Sequence, residues 1–223
     1  MNSPASAPLT VDVVSDVVCP WCYLGKRRLE AAIALVPEIP IAVIWRPFQL
    51  DPTVPREGMD RKAYMIGKFG SLEAIAPAHE RLVAMGREVG IDYRFDDMER
   101  AANTLDAHRL IRWAAAEGRQ AEIVERLFRA NFTEARDVGD RAVLSAIAGE
   151  SGMDAAAVAA RLATDEDLQS VQAEIEEAQR IGVTGVPCFI IDRKYAIAGA
   201  HPADAIAGAI RKAAAEREPS ALN

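Results

Sequence analysis

The 223 residues carry 26 Lys and Arg against 33 Asp and Glu, a formal charge of −7, and 50% of them are hydrophobic. That is the composition of a globular chain long enough to bury a core without staples, not of a disordered or collagen-like one, and its negative charge counts against a surface that tracks nucleic-acid phosphates. The small, polar first eight residues carry no basic and apolar leader, and no apolar run approaches the ~20 residues that span a bilayer; no membrane and no export are expected, and the compartment expected is cytoplasmic.

Leu9 to Val14 alternates and is rich in β-branched residues, which predicts a first strand running straight into Cys19-Pro20-Trp21-Cys22. From Pro20 the apolar spacing becomes helical, with Trp21, Leu24, Leu29, Ile33 and Val36, until Pro37 stops it. Pro40 to Phe48 reads as a second strand, so the chain opens as a strand–helix–strand unit of the parallel kind.

Between Leu50 and Thr164 alanine, glutamate, arginine and leucine dominate, and helix starts are expected at Asn103-Thr104, Asp140 and Asp154, with Gly90, Gly118 and Gly152 as helix ends. Ile91 to Phe95 is expected as a short extended piece. Thr164 to Asp167 starts a long polar helix that Gly182 ends; Cys188–Ile191 and Tyr195–Ala198 form a hairpin, and Pro202 opens a last helix through Ala215. With the helical middle removed, a single α/β sheet domain remains.

Three cysteines make no disulfide framework, and a close pair in a reducing compartment is either redox-active or metal-binding. Disulfide exchange needs one thiol rich in thiolate and a second within reach to resolve the mixed disulfide. With Cys19 near a helix N-cap, Pro20 as first helical residue and Cys22 one turn in, the two sulfurs share a face, and the free N–H groups and dipole end favour the Cys19 thiolate. Cys19 is then the exposed nucleophile and Cys22 the shielded resolving thiol. The other readings are half a zinc site or two buried cysteines. No second CxxC exists, and Cys188, His79, His108 and His201 lack a ligand spacing to one another; the strand–helix context favours thiol chemistry, and no metal is expected. A non-enzymatic module binding a soft metal through Cys19, Cys22 and Cys188 is the rival of a different class.

Ser15 through Lys26, Asn103-Thr104 with Ala107-His108-Arg109, and Gly182-Val183 through Pro187 together resemble the DsbA family of thioredoxin-like proteins, in particular its FrnE-like branch, over nearly the whole length. The resemblance implies an α/β thioredoxin-like fold with a large all-helical insertion: residues 9–50 plus 165–217 as the thioredoxin-like domain, 51–164 inserted, and flexible ends at 1–8 and 218–223. It also implies a cis Val186-Pro187 bond facing the cysteine pair, so that Pro20, Trp21, Val186 and Pro187 bind substrate, with Trp21 exposed. Gln49, Asn103, His108 and Cys188 are candidates for the cleft wall, beside the plainer readings of Asn103 as a helix cap, His108 as packing on its helix face and Cys188 as a small buried hydrophobe whose side of the strand is left open. The implied activity is protein thiol–disulfide exchange, with a disulfide- or thiol-containing protein or small molecule as partner, no tightly bound cofactor, and glutathione as a co-substrate. Related 2-hydroxychromene-2-carboxylate isomerases and kappa-class glutathione transferases usually carry serine where Cys19 stands, which makes a glutathione-dependent isomerase or transferase the alternative. An apolar face on the insertion would allow a homodimer.

Overall fold

Leu9–Ser15 forms β1, the strand on which the sheet is built, in a computed structural model that describes residues 7–217. Of the ends expected to be flexible, residues 1–6 and 218–223 lie outside the described residues. Six of the seven β1 residues are buried, so both faces of the strand are covered. It pairs in parallel with β2, Ile41–Pro47, and antiparallel with β5, Cys188–Ile191, which turns back into β6, Tyr195–Ala198. The order is β2-β1-β5-β6. The exposed side of β2 is not left as a bare edge: the Gln120 side-chain amide accepts from the Trp45 N–H at 3.0 Å and donates to its carbonyl at 3.2 Å.

Strand alternation assigns the faces. Leu9, Val11 and Val13 of β1 share a core with Phe189 and Ile191 of β5, under α1 (Pro20–Ala34) and α9 (Ala203–Ala215). Val14 and Cys188, paired in register, point the other way with Phe48 and Val183, toward Ala178 of α8, Leu168–Arg180. Gly182, at φ 93°, ends α8 as the sequence predicts.

The segment between β2 and α8 holds α2 (Arg61–Phe69), α3 (Leu72–Glu88), α4 (Leu105–Ala116), α5 (Gln120–Phe132), α6 (Arg141–Glu150) and α7 (Ala155–Leu162). Asp60, Ser71, Asp140 and Asp154 cap α2, α3, α6 and α7 through their side chains. Two expectations are corrected here. The insertion is not purely helical, because β3 (Met59–Asp60) pairs antiparallel with β4 (Arg100–Ala101). The short extended piece expected over Ile91 to Phe95 stops at Arg94, because Phe95–Asp97 forms a 3-10 turn; Ile91 to Arg94 finds no partner strand, and Ile91, Tyr93 and Phe95 are buried.

Two contacts tie the insertion to the sheet domain. Tyr23 of α1 stacks on Phe128 at 5.1 Å, and Tyr93 stacks on Phe95 at 5.0 Å, both against Phe132. On the other side Arg109 is fully buried: it pairs with Asp106 at 2.8 Å and donates to the carbonyls of Arg161, Thr164 and Glu166. Four acceptors around one guanidinium satisfy most of its donors, which is what makes a buried arginine tolerable.

Candidate active site

Cys19 is the N-cap of α1, and its own side chain forms no cap bond. Pro20 follows as first helical residue, where its missing N–H costs no hydrogen bond. The Cys19 carbonyl accepts from Cys22 N at 3.0 Å and Tyr23 N at 3.4 Å, so the cysteines sit one turn apart on one face. The Tyr93 hydroxyl donates to the Pro20 carbonyl at 2.6 Å and fixes this first turn from outside the helix. Burial raises the Tyr93 pKa, and the neighbouring Cys19 adds to the effect, so the phenol stays a donor.

Val186 and Pro187 are joined by a cis bond, and the Cys19 thiol donates to the Val186 carbonyl at 3.6 Å. Gly25 permits that approach: a Cβ there would lie 2.9 Å from Pro187 Cγ and 3.2 Å from Phe189 Cζ. Both cysteines are free thiols, Cys19 3% exposed and Cys22 fully buried. Burial pushes the Cys22 pKa well up, and its contact with Cys19 pushes the same way; the Ser15 hydroxyl pulls down more weakly.

Beneath the pair lies a carboxylate to which the sequence reading gave no role. Asp16 is 1% exposed; its carbonyl accepts from Cys19 N at 3.0 Å and its Oδ2 from Leu50 N at 2.8 Å, but its Oδ1 has no hydrogen-bond partner. His108 Nε2 lies 3.5 Å from that oxygen but 2.8 Å from the Phe48 carbonyl. A carbonyl only accepts, so Nε2 carries the proton and gives it to Phe48. Asn103 receives Gln49 Nε2 and Leu105 N on its Oδ1 and donates to the Val54 carbonyl at 2.7 Å.

Above the pair a cavity of about 390 Å³ opens between the start of α1 and the α2–α3 hairpin. Asp16, Cys19, Pro20, Trp21 and Val186 line it, together with Arg61 and apolar side chains of the hairpin. Three sequence expectations change. Cys19 is not openly exposed and is reached through this cavity. Trp21 is half-buried with Arg81 over its ring at 6.0 Å, not an exposed contact surface. Gln49, Asn103 and His108 stand one layer behind the cavity wall, where their polar atoms are taken up in the buried network that orders the turn from β2 and the start of α4. Thr104, one of the two expected positions, is the N-cap of α4, and Asn103 Oδ1 accepts from Leu105 N at 3.1 Å at the same helix start.

Cys188 is also corrected. It faces away from Cys19 and Cys22, because Phe189 takes the inward position, and it lines a separate groove of about 1010 Å³ beside α8. Its pKa is raised by burial alone. A three-cysteine metal site is thereby geometrically denied, and among the described residues no group of three or more His, Cys, Asp or Glu is placed to hold a metal ion. Tyr93, Arg61 and Asn131 went unnoticed in the sequence because each reaches the site from the insertion, where no motif marks it. Asp16 had one signal: a charged residue between a buried strand and a CxxC.

The family model of the DSBA-like thioredoxin domain matches residues 10–211. The uncharacterized protein YwbO of Bacillus subtilis is 30% identical over 185 residues, covering 81% of this chain and 86% of that one. A crystal structure of a probable DsbA oxidoreductase from Streptomyces coelicolor superposes with a TM-score of 0.89 at 35% identity, covering 96% of this chain and 94% of that one. The cytosolic disulfide reductase DsbM of Pseudomonas aeruginosa, solved with GSH, shares the fold at 20% identity and a TM-score of 0.61, covering 93% and 96%. No helix among the described residues is long and apolar enough to cross a membrane.

Proposed function

The chain belongs to the DSBA-like thioredoxin domain family, and on that premise we propose that it is a thiol–disulfide oxidoreductase whose redox pair is Cys19 and Cys22. One observation carries the reading: Cys19 sits at a helix N-terminus, one turn from Cys22 and 3.6 Å from the Val186 carbonyl. The Cys19 thiolate attacks a substrate disulfide, aided by the positive dipole end of α1. One substrate sulfur leaves as thiolate while the other stays bonded to Cys19. Cys22 then attacks Cys19, releases the second sulfur as thiolate, and closes a Cys19–Cys22 bridge. Two electrons pass to the substrate, and two equivalents of a thiol of the glutathione class return the enzyme to the dithiol and leave as their own disulfide. The direction in a cell follows from the potential of the compartment, and a cytoplasmic site would make it a reductase.

The test is insulin reduction with wild type, Cys19→Ser and Cys22→Ser. Cys19→Ser should abolish turnover, and Cys22→Ser should accumulate a mixed disulfide. Turnover undiminished in Cys19→Ser would refute the assignment, and tight glutathione binding by a wild type that fails to reduce insulin would identify the isomerase or transferase alternative. A thiol count separates Cys188 from the pair: one free thiol in the oxidised protein, assigned to Cys188, and three after dithiothreitol.

A further inference from the structure

The cavity above Cys19 holds more polar chemistry than the exchange reaction uses. Three buried polar atoms on its lining residues have no hydrogen-bond partner among the described residues: Asp16 Oδ1, Thr104 Oγ1 and Asn131 Nδ2. Their residues are 1%, 1% and 3% exposed. Buried polar groups are almost always paired, so three unpaired ones on residues around one cavity are donors and acceptors left over for a ligand.

The charges in the cavity are also unequal. Lys68 is paired with Asp51 at 3.4 Å, and Arg100 donates to the Glu57 carbonyl at 2.7 Å. The half-buried Arg61 has its backbone N–H on the Glu99 carbonyl, but its guanidinium has neither an ion pair nor a hydrogen bond among the described residues. Burial accordingly lowers its pKa, with no carboxylate to offset the loss of water. An unpaired guanidinium in a cavity whose Lys68 and Arg100 are already engaged is suited to a carboxylate or a similar anion.

We propose that this cavity binds a low-molecular-weight disulfide with an apolar, ring-sized body and one anionic group, the anion held by Arg61 and a polar substituent by Asp16, Thr104 and Asn131. This rests on the dithiol reading and names its substrate class. The near-burial of Cys19 points the same way, because a small disulfide enters the cavity while a folded protein must first displace the α2–α3 hairpin. Atoms and electrons balance as in the exchange above: the ligand disulfide becomes two thiols, Cys19 and Cys22 become a bridge, and two external thiols reset the pair and leave as a disulfide.

Reduced full-length protein is mixed with three probe disulfides in a stopped-flow instrument, each rate being divided by the same probe's rate with dithiothreitol. The probes are 5,5′-dithiobis(2-nitrobenzoate), aromatic and anionic; 4,4′-dithiodipyridine, aromatic and neutral; and oxidised glutathione, anionic and polar. The nitrobenzoate probe should react fastest, and Arg61→Gln should slow it about tenfold or more, the size expected for one lost charge-assisted contact. Arg61→Lys should recover most of that rate, and the neutral probe should change by less than about twofold. The neutral probe doubles as the folding control. Equal losses with both aromatic probes, no loss with either, or preference for oxidised glutathione would overturn the proposal while leaving the dithiol chemistry intact. If the neutral probe reacts no faster with wild type than with Cys19→Ser, the dithiol reading itself falls, and this one with it.

Discussion

Replacing glycine by alanine at two helical positions of the sheet domain should move stability in opposite directions. Gly208 in α9 is exposed, and nothing lies within 4 Å of a Cβ built there, so Gly208→Ala should gain the helix preference alone, about 0.5–1 kcal/mol. Gly25 in α1 gains the same term, but its Cβ would sit 2.9 Å from Pro187 Cγ and 3.2 Å from Phe189 Cζ. The first distance requires movement, and a proline ring has no rotamer with which to yield. Overpacking of this kind costs about 1–3 kcal/mol, so Gly25→Ala should end about 1–2 kcal/mol less stable than wild type. In a chain of this size 1 kcal/mol moves Tm by about 2–4 °C, so the two variants should melt on opposite sides of wild type. The displaced Pro187 also takes the Val186 carbonyl from Cys19, and Gly25→Ala should react more slowly with a neutral aromatic disulfide while Gly208→Ala does not. Calorimetry and stopped-flow absorbance read both effects. A Gly25→Ala protein that melts as high as Gly208→Ala would refute the close-packing account of the site.

Asp106 ties the insertion together internally, through Arg56, Arg109 and Arg141. Burial pushes its pKa up, but hydrogen bonds from Arg109 and Arg141 and the charge of Arg56 outweigh this and leave it lowered. A carboxylate with a depressed folded pKa contributes stability above its unfolded value, and that contribution is lost as pH falls through the folded value. Asp106→Asn should therefore cost about 3 kcal/mol at neutral pH, the lower end for breaking a buried pair because Arg109 keeps three carbonyls. The gap from wild type should close in denaturant titrations below about pH 4, and a gap that stays constant into acid would refute the pairing. Cys22, whose pKa is raised chiefly by burial, should release the mixed disulfide at a rate climbing about tenfold per pH unit through the alkaline range. A plateau near neutrality in quenched-flow traces would show an ordinary thiol there.

The β1–α1–β2 unit, the β5–β6 hairpin and the positions of Cys19 and Cys22 were legible because each is local: alternation, helical spacing and a few punctuating prolines and glycines specify them, whereas Pro187 beside the pair followed only from the family resemblance. The cavity was not legible, because its lining joins the β1–α1 turn to α2, α3 and α5 across long separations, and single residues such as Arg61 and Asn131 look like solvated helix positions in sequence. The face of Cys188 was open for a related reason. Parity along a strand predicts sides only once one residue is anchored, and the anchor here is the register Val14 to Cys188, a tertiary fact. His108 shows the converse: its motif was visible, but its work is to donate to the Phe48 carbonyl and order the turn out of β2.

The largest departure from expectation, a nucleophile almost out of water, has a single structural cause. In a bare strand–helix–strand unit the N-terminus of α1 would face solvent. Here the α2–α3 hairpin stands over it, and α2 contributes no fully buried residue of its own. A helix with no buried side chain is weakly anchored, since most helical stability in proteins comes from packing one face. The cover over Cys19 is thus the least anchored of the elements that bound the site, whereas the floor, with Asp16, His108 and Asn103, is fixed by buried hydrogen bonds. Selectivity by such an arrangement falls on what enters under the hairpin: a compact disulfide reaches Cys19 without moving it, and an extended peptide pairing with Val186 must lift it. The rate of insulin reduction relative to small aromatic disulfides therefore measures the hairpin as much as the thiol.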